Sequence, residues 1–347
     1  MTNLTATIGQ VSAGQDLSFD EAQAAIGWLV SGQADRAEIA LLLTALATKG
    51  ETVDEIAGAA AALRQHMTPI RSSRTGLLDT CGTGGGGSKT FNISTTAAIV
   101  AAAAGVPVAK HGNRSITSRT GSADVLAELG VNIAATVPQV EACLEELGLC
   151  FCFAPLMHPA MKHVGEVRKA LGIKTIFNVL GPLANPARAE FQLLGAGRPE
   201  LRPLLAGAIA RLGTQRTLVV CGDDGLGDVS ITTATQVTEV TQAGEREFRW
   251  TPDDFGVSRG ELAALEVESP AHSAEVIRQI LAGQPGAPRD IVIANAAAGL
   301  IAAGRSAASA NTGPAEAAKL AATAIDSGAA SELLARLVEK SHAPVAT

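Results

Sequence analysis

Three segments of the chain carry residue types that could do chemistry, and all three suit phosphate. The first is Gly82-Thr83-Gly84-Gly85-Gly86-Gly87-Ser88-Lys89-Thr90. Consecutive glycines let backbone N–H groups converge on one anion, and a helix that follows adds partial positive charge at its N-terminus. A Walker A loop requires glycine where Ser88 stands, so that reading fails. Gly82, Gly84 and Gly87 match G-x-G-x-x-G, but the ribose-binding acid expected about 20 residues further on is absent from AAAAGVPVAKHGN. The second segment, Phe91-Asn92-Ile93-Ser94-Thr95, sets small polar side chains at a helix start. They can cap the helix, complete a phosphate site or offer a hydroxyl to a metal. The third runs Lys110-His111-Gly112-Asn113-Arg114, then Ser115, Thr117 and Ser118, then Gly121-Ser122-Ala123-Asp124. Cations beside glycine and hydroxyls at the end of a strand suit a phosphate; a solvated loop is the rival reading.

The elements that must position these segments alternate in type. Residues 1–70 read as helices only. Ser18 with Glu21, Asp35 with Glu38, and Thr52 with Glu55 have capping-box spacing before the apolar runs Phe19–Val30, Arg36–Lys49 and Val53–His66. From Gly76 the pattern changes to short apolar runs between helices. LLDTCG enters the glycine cluster, and a helix follows from Ser94 to Ala104 with Ser94 or Thr95 as its cap. VPVAK (106–110), VNI (131–133) and LCFCF (149–153) read as strands, with helices over Ser122–Leu129 and from Thr136 to Gly148. Residues 160–190 turn helical again, FQLLG, TLVVCG and TQVTEV read as strands, and the chain from Ile291 is Ala-rich helix. Strands alternating with helices predict an α/β fold: a mostly parallel central sheet flanked by helices, beside a small all-helical domain.

The 347 residues allow two domains. Hydrophobic residues make up 47% and aromatics only 3%, with no Tyr, which excludes a disordered chain and disfavours a stacking platform for single-stranded nucleic acid. A net charge of −7 provides no global field for polyanions, so phosphate must be bound locally. The N-terminus lacks the basic start and apolar core of a signal peptide, and no apolar stretch is long enough to span a bilayer. The five cysteines, Cys81, Cys143, Cys150, Cys152 and Cys221, form no C-x-x-C pair and indicate neither a disulfide framework nor zinc. The expectation is a soluble, cytoplasmic protein that uses neither nucleic acid nor membrane as a partner.

Taken in order, GTGG-x-G-x-x-TFNIST, KHGNR-x-x-(S/T)S-x-x-GSAD, FAPLMHPAMK and VR-x-x-LG-x-(K/R)T-x-FN-x-LGPL-x-NP resemble the anthranilate phosphoribosyltransferases of tryptophan biosynthesis. The matching stretches run from Leu78 to Pro186, with weaker similarity over nearly the whole chain. The related pyrimidine nucleoside phosphorylases share a glycine loop but lack the KHGN and LGPL-x-NP signatures. The resemblance implies that the amine of anthranilate displaces pyrophosphate from phosphoribosyl pyrophosphate (PRPP) with Mg²⁺ as cofactor. It implies a PRPP site at Gly82, Gly85, Gly86, Thr90, Asn92, Ile93, Ser94 and Thr95, continued by Lys110, His111, Gly112, Asn113, Arg114, Ser115, Ile116, Thr117, Ser118 and Ser122. Gly82, Asn113 and Arg168 would contact anthranilate, Arg168 facing its carboxylate, and Lys110, Asn113 and Arg168 would act in catalysis. Ser94 and Asp228 would hold the metal. His158 reads equally as pocket wall or core. The implied architecture is a small helical domain of residues 1–72 with a returning segment at about 165–190. A large domain of 73–164 and 191–347 completes the chain, and the family is typically homodimeric through the small domain.

Three positions depart from the family pattern. GTGGDG carries Gly86 at its acid, and DGLDE reads Asp224-Gly225-Leu226-Gly227-Asp228, so Gly227 replaces an aspartate and Asp228 a glutamate. Glu166 stands where the family tends to have proline. Asp228, helped by Asp223 or Asp224, is expected to bind one magnesium while a second site is weakened.

Overall fold

The structure is a computed structural model that describes residues 4–83, 89–115, 119–304 and 313–344. Four helices open the chain: α1 (Leu4–Ser12), α2 (Phe19–Val30), α3 (Arg36–Lys49) and α4 (Val53–His66). The capping boxes at Ser18, Asp35 and Thr52 all form, and each satisfies donors that a helix start leaves unpaired. Glu55 does more than close its box. It is fully buried, and its carboxylate also accepts from Leu17 N at 3.0 Å and Lys49 Nζ at 3.0 Å, tying three helix ends together.

The α/β part follows as β1 (Leu78–Gly82), α5 (Ile93–Ala103), β2 (Val108–Gly112), α6 (Ser122–Glu128), α7 (Val137–Leu147), β3 (Leu149–Phe153), β4 (Phe191–Gly195) and β5 (Arg216–Gly222). Two further strands, β6 (Thr235–Thr241) and β7 (Gly244–Trp250), complete one seven-stranded sheet in the order β3-β2-β1-β4-β5-β6-β7. The first five of these strands are mutually parallel, and β6 and β7 add an antiparallel hairpin at one edge. The α/β expectation of a mostly parallel sheet is met.

Two local expectations are not, and one strand is not foreseen in the sequence. VNI forms no strand: Val131 N closes the end of α6 on Leu126 O. Asn132 is pinned to Ser341, its backbone N–H donating to Ser341 Oγ at 3.0 Å and its side-chain amide to Ser341 O at 3.1 Å. Helix α5 starts at Ile93 with Asn92 as its N-cap, not at Ser94 or Thr95. The Asn92 side chain does not cap the helix; its Oδ1 accepts from Thr120 Oγ1 and Ser273 Oγ, each at 2.9 Å. Strand β7 has no apolar pattern to announce it, because Glu245, Arg246 and Glu247 are exposed on an edge where charge discourages further pairing.

Side chains alternate across each strand, so one strand feeds two cores. Leu193 and Val220 join the core that α5 and the helix Ala287–Ala302 build on one face. Leu194, Val219 and Cys221 join the other, which continues through the helix Leu201–Leu212 into α1 to α4. The helix Lys162–Leu171 returns to pack on α2 and α3, and Glu166 pairs there with Arg36. Cys150 and Cys152 are buried as small apolar side chains. Among the described residues no helix is long and apolar enough to cross a membrane.

Candidate active site

The carboxyl ends of β1 and β2 and the first turn of α5 open onto a cavity of about 360 Å³. This is where parallel sheets place ligands. It is lined by Gly82, Asn92, Ser94, Thr95, Lys110, His111, Gly112, Asn113, Arg114, Ser115 and Ser122 from the three marked segments, and by Arg168, which the family resemblance adds. The earlier start of α5 matters here. It puts Ser94 and Thr95 inside the first helical turn, facing the cavity, where the helix dipole favours an anion. Thr95 Oγ1 is buried and has no hydrogen-bond partner among the described residues.

Lys110 is buried at the end of β2 and supplies a local cation. Its Nζ donates to Thr80 O and lies 3.5 Å from Ser94 Oγ. Burial lowers its pKa, and the nearby acidic groups Asp79, Cys81 and Asp228 work in the opposite direction. Asp79 is fully buried between the strands. Its Oδ1 accepts His111 N at 3.1 Å, and Oδ2 has no hydrogen-bond partner among the described residues.

The loop after β2 is organised by Asp124. Its carboxylate accepts from Ser115 N at 2.9 Å and Gly121 N at 3.1 Å and pairs with Arg114 at 2.8 Å. The backbone there is packed too closely for side chains. A Cβ on Gly121 would stand 2.3 Å from Ser115 N, and one on Gly112 would stand 2.1 Å from Ser122 Oγ.

The far wall belongs to the helix Lys162–Leu171 and the segment after it. The Arg168 guanidinium sits over the Phe177 ring, 5.1 Å from its centre, and burial lowers its pKa. It has no carboxylate partner among the described residues. The wall also holds a histidine pair. His111 Nδ1 is 3.0 Å from Gly181 O, and the two Nε2 atoms of His111 and His158 are 3.2 Å apart. A carbonyl only accepts, so His111 carries its proton on Nδ1, and His158 donates from Nε2. Burial pushes His111 down to about 4 and His158 to about 3, so both rings are neutral near pH 7. His158 is therefore a packed wall residue beside the site.

Not every marked residue is brought in. Ile93 is buried in the core with its N–H bonded to Phe91 O, and Thr90 forms a bridge with Glu266; neither lines the cavity. Gly85, Gly86, Ile116, Thr117 and Ser118 lie outside the described residues. Asp228 is not in the lining either, but its charge acts on Lys110, and burial raises its pKa to about 7. Asp223 and Asp224 are committed elsewhere. Asp224 accepts from Ser230 Oγ and Thr232 Oγ1, and Asp223 from Gln236 and Arg249, while the charge of Asp224 still acts on Asp228. The cavity also gains Lys174, Phe177, Asn178 and Arg198. The first three stand inside the KT-x-FN stretch; Arg198 follows β4 without any motif to signal it.

The donor set fits magnesium in kind. Ser94 Oγ and the Asp228 carboxylate are hard oxygen donors that both act on Lys110, and Asp228 is engaged by no hydrogen bond among the described residues. No group of three or more His, Cys, Asp or Glu side chains suited to a metal exists among the described residues, so most ligands must come from substrate phosphates and water.

Fold and site together define a class. The chain matches the family models described as glycosyl transferase family, helical bundle domain, over residues 5–67, and glycosyl transferase family, a/b domain, over residues 74–331. Relatives narrow it. Over 332 residues the chain is 48% identical to the anthranilate phosphoribosyltransferase of Rhodopirellula baltica, covering 96% of each chain. It is 49% identical over 324 residues to that of Anaeromyxobacter sp. (strain Fw109-5), covering 93% of this chain and 94% of the relative. The crystal structure of the Thermus thermophilus enzyme superposes with a TM-score of 0.89 at 41% identity, covering 97% of this chain and 99% of that one. The Saccharomyces cerevisiae enzyme in complex with PRPP and Mg also superposes with a TM-score of 0.89, at 28% identity, covering 97% of both chains. The chain belongs to the anthranilate phosphoribosyltransferase family.

Proposed function

We propose that the protein transfers the phosphoribosyl group of PRPP to the amine of anthranilate in tryptophan synthesis. The bond from ribosyl C1 to pyrophosphate breaks, a C1–N bond forms, and the amine loses a proton. The observation that carries this reading is the cavity's division of labour. Lys110, the Ser94–Thr95 helix start and the Arg114 loop make one end suited to phosphates, and Arg168 makes the other suited to a carboxylate.

Pyrophosphate is a highly charged leaving group, so stabilising its charge lowers the barrier more than activating the amine would. Lys110 is rigidly held and already dehydrated, which strengthens its pull on developing negative charge. Arg168 can grip the anthranilate carboxylate with two parallel N–H donors and so fix the amine relative to C1, with Asn113 and Gly82 beside it. Magnesium, bound through Ser94, Asp228 and the substrate phosphates, would neutralise pyrophosphate charge. Gly85, Gly86, Thr90, Ile93 and residues 116–118 belong to the proposed PRPP site on family likeness alone. The yeast relatives solved with PRPP and Mg and with 4-fluoroanthranilate support these ligand classes.

Residues 1–72 with about 165–190 make the small domain in this reading, and 73–164 with 191–347 the large one. The boundary between the two matched family models, at 67 and 74, supports the first break. Pairing of two chains through the small domain in a cytoplasmic homodimer belongs to this reading on family likeness alone. The test of the reaction is pyrophosphate release. It should require PRPP, anthranilate and Mg²⁺ together, whereas cleavage of a pyrimidine nucleoside by phosphate would favour the phosphorylase alternative.

A further inference from the structure

At the opposite end of the parallel strands from Lys110 lies a second cavity, of about 630 Å³, between α4 and the residues that lead into β4 and β5. Three guanidinium groups, Arg64, Arg188 and Arg211, line it together with the amide side chains of Gln65, Gln215 and Gln242. Arg64 donates Nε–H to Leu183 O at 2.7 Å, and its Nη groups reach no acceptor among the described residues. Arg188 has no ion pair there either. The two cations are close enough for Arg188, after burial, to lower the pKa of Arg64. Arg64 is half-buried and Arg188 exposed, and the other ionic groups that line the cavity, the Glu190 carboxylate and Arg211, have partners of their own. Glu190 spends both oxygens on Gly76 N and Leu77 N, and Arg211 is paired with Asp54 at 2.9 Å. Arg188 is also the one non-glycine residue at positive φ, 52°, among the described residues, so the backbone is strained where it presents this cation. Phe19 and Leu212 give the same cavity an apolar wall.

We propose that this cavity is a second anion site, separate from the PRPP pocket, which takes a phosphate monoester carried on a small apolar body. Paired guanidinium forks match phosphate oxygens, the free amides can complete the shell, and the volume falls in the range of small-molecule sites. The site borders the first one. Pro182 lines both cavities, and the loop that gives Leu183 O to Arg64 gives Gly181 O to His111.

Equilibrium dialysis of the full-length protein with labelled inorganic phosphate and with phenyl phosphate tests this. Wild type should bind each probe at two classes of site, with phenyl phosphate the tighter ligand at the second. Arg188→Asn removes the cation and keeps a residue that tolerates positive φ. It should weaken the second class about tenfold or more while leaving the first class and the melting temperature unchanged. Arg64→Gln should do the same to the second class; if it fails to fold, the exposed Arg188 variant still decides. Unchanged binding in folded Arg188→Asn would overturn the proposal. Equal affinity of the two probes at the second class would overturn the apolar-bodied ligand.

Discussion

In the proposed reaction the acceptor end of the site depends on one side chain. Arg168 is half-buried, stacked on Phe177 and without a carboxylate of its own among the described residues, so an incoming carboxylate would complete its pairing. Arg168→Gln should raise the KM for anthranilate by about tenfold to a hundredfold, the cost of losing a charge-assisted bond, and leave the KM for PRPP nearly unchanged. Steady-state kinetics with each substrate varied in turn checks the split. At the other end, the proposed reading gives magnesium to Asp228, which no hydrogen bond engages among the described residues, whereas Asp223 and Asp224 are hydrogen-bonded within their loop. Asp228→Ala should raise the Mg²⁺ concentration for half-maximal activity about tenfold or more at fixed PRPP. An unchanged magnesium titration would show that this residue is no ligand. Residue types alone mark Lys110 and the Ser94–Thr95 pair, because cations and hydroxyls beside glycine announce phosphate, whereas Arg168 is marked only by the family resemblance. They cannot mark Asp79 or Asp124, whose work is to accept backbone N–H groups brought close only by the fold.

At the scale of elements, the site is built from close backbone approaches that glycine permits. The sharpest is between β4 and the loop after β5. A Cβ on Gly195 would stand 1.7 Å from Gly227 O, and one on Gly227 would stand 3.2 Å from Gly197 N. Gly195→Ala should therefore destabilise the protein by about 2–3 kcal/mol, as overpacking of a rigid backbone does, and urea unfolding measures it. The same contact gives the Gly227 departure a structural setting: this loop packs on β4 with little room for a side chain. Strands and helices with strong patterns are legible in the sequence. The capping boxes at Ser18, Asp35 and Thr52 announce three helix starts, and LCFCF announces β3. What is not legible is decided by long-range partners. Asn132 reads as part of a strand until Ser341, more than 200 residues on, fixes it in a turn, and Asn92 becomes an N-cap because Thr120 and Ser273 hold its side chain.

For the whole molecule, the two cores meet across the sheet, and the wall that carries Arg168 comes from the helical side while Lys110 comes from the strands. Relative motion of the two would open the cavity and closure would exclude water, which a reactive ribosyl centre requires. The His111–His158 pair lies at this junction and links stability to pH. Both rings have folded values, about 4 and about 3, below their ordinary 6.5. Between pH 6.5 and about 4 the unfolded chain binds protons that the folded one excludes, so stability is fully present above 6.5 and falls as the pH drops through that window. The loss should reach about 3 kcal/mol for each ring, read as a falling unfolding midpoint, and His158→Gln should remove about half of it. The central claim is the transfer itself, and the fluorescence of anthranilate tests it most directly. On mixing the protein with PRPP, Mg²⁺ and anthranilate, the fluorescence should fall to completion in proportion to PRPP added, and should not fall when PRPP is left out. A signal that stays constant with folded protein and all three components present would contradict the account.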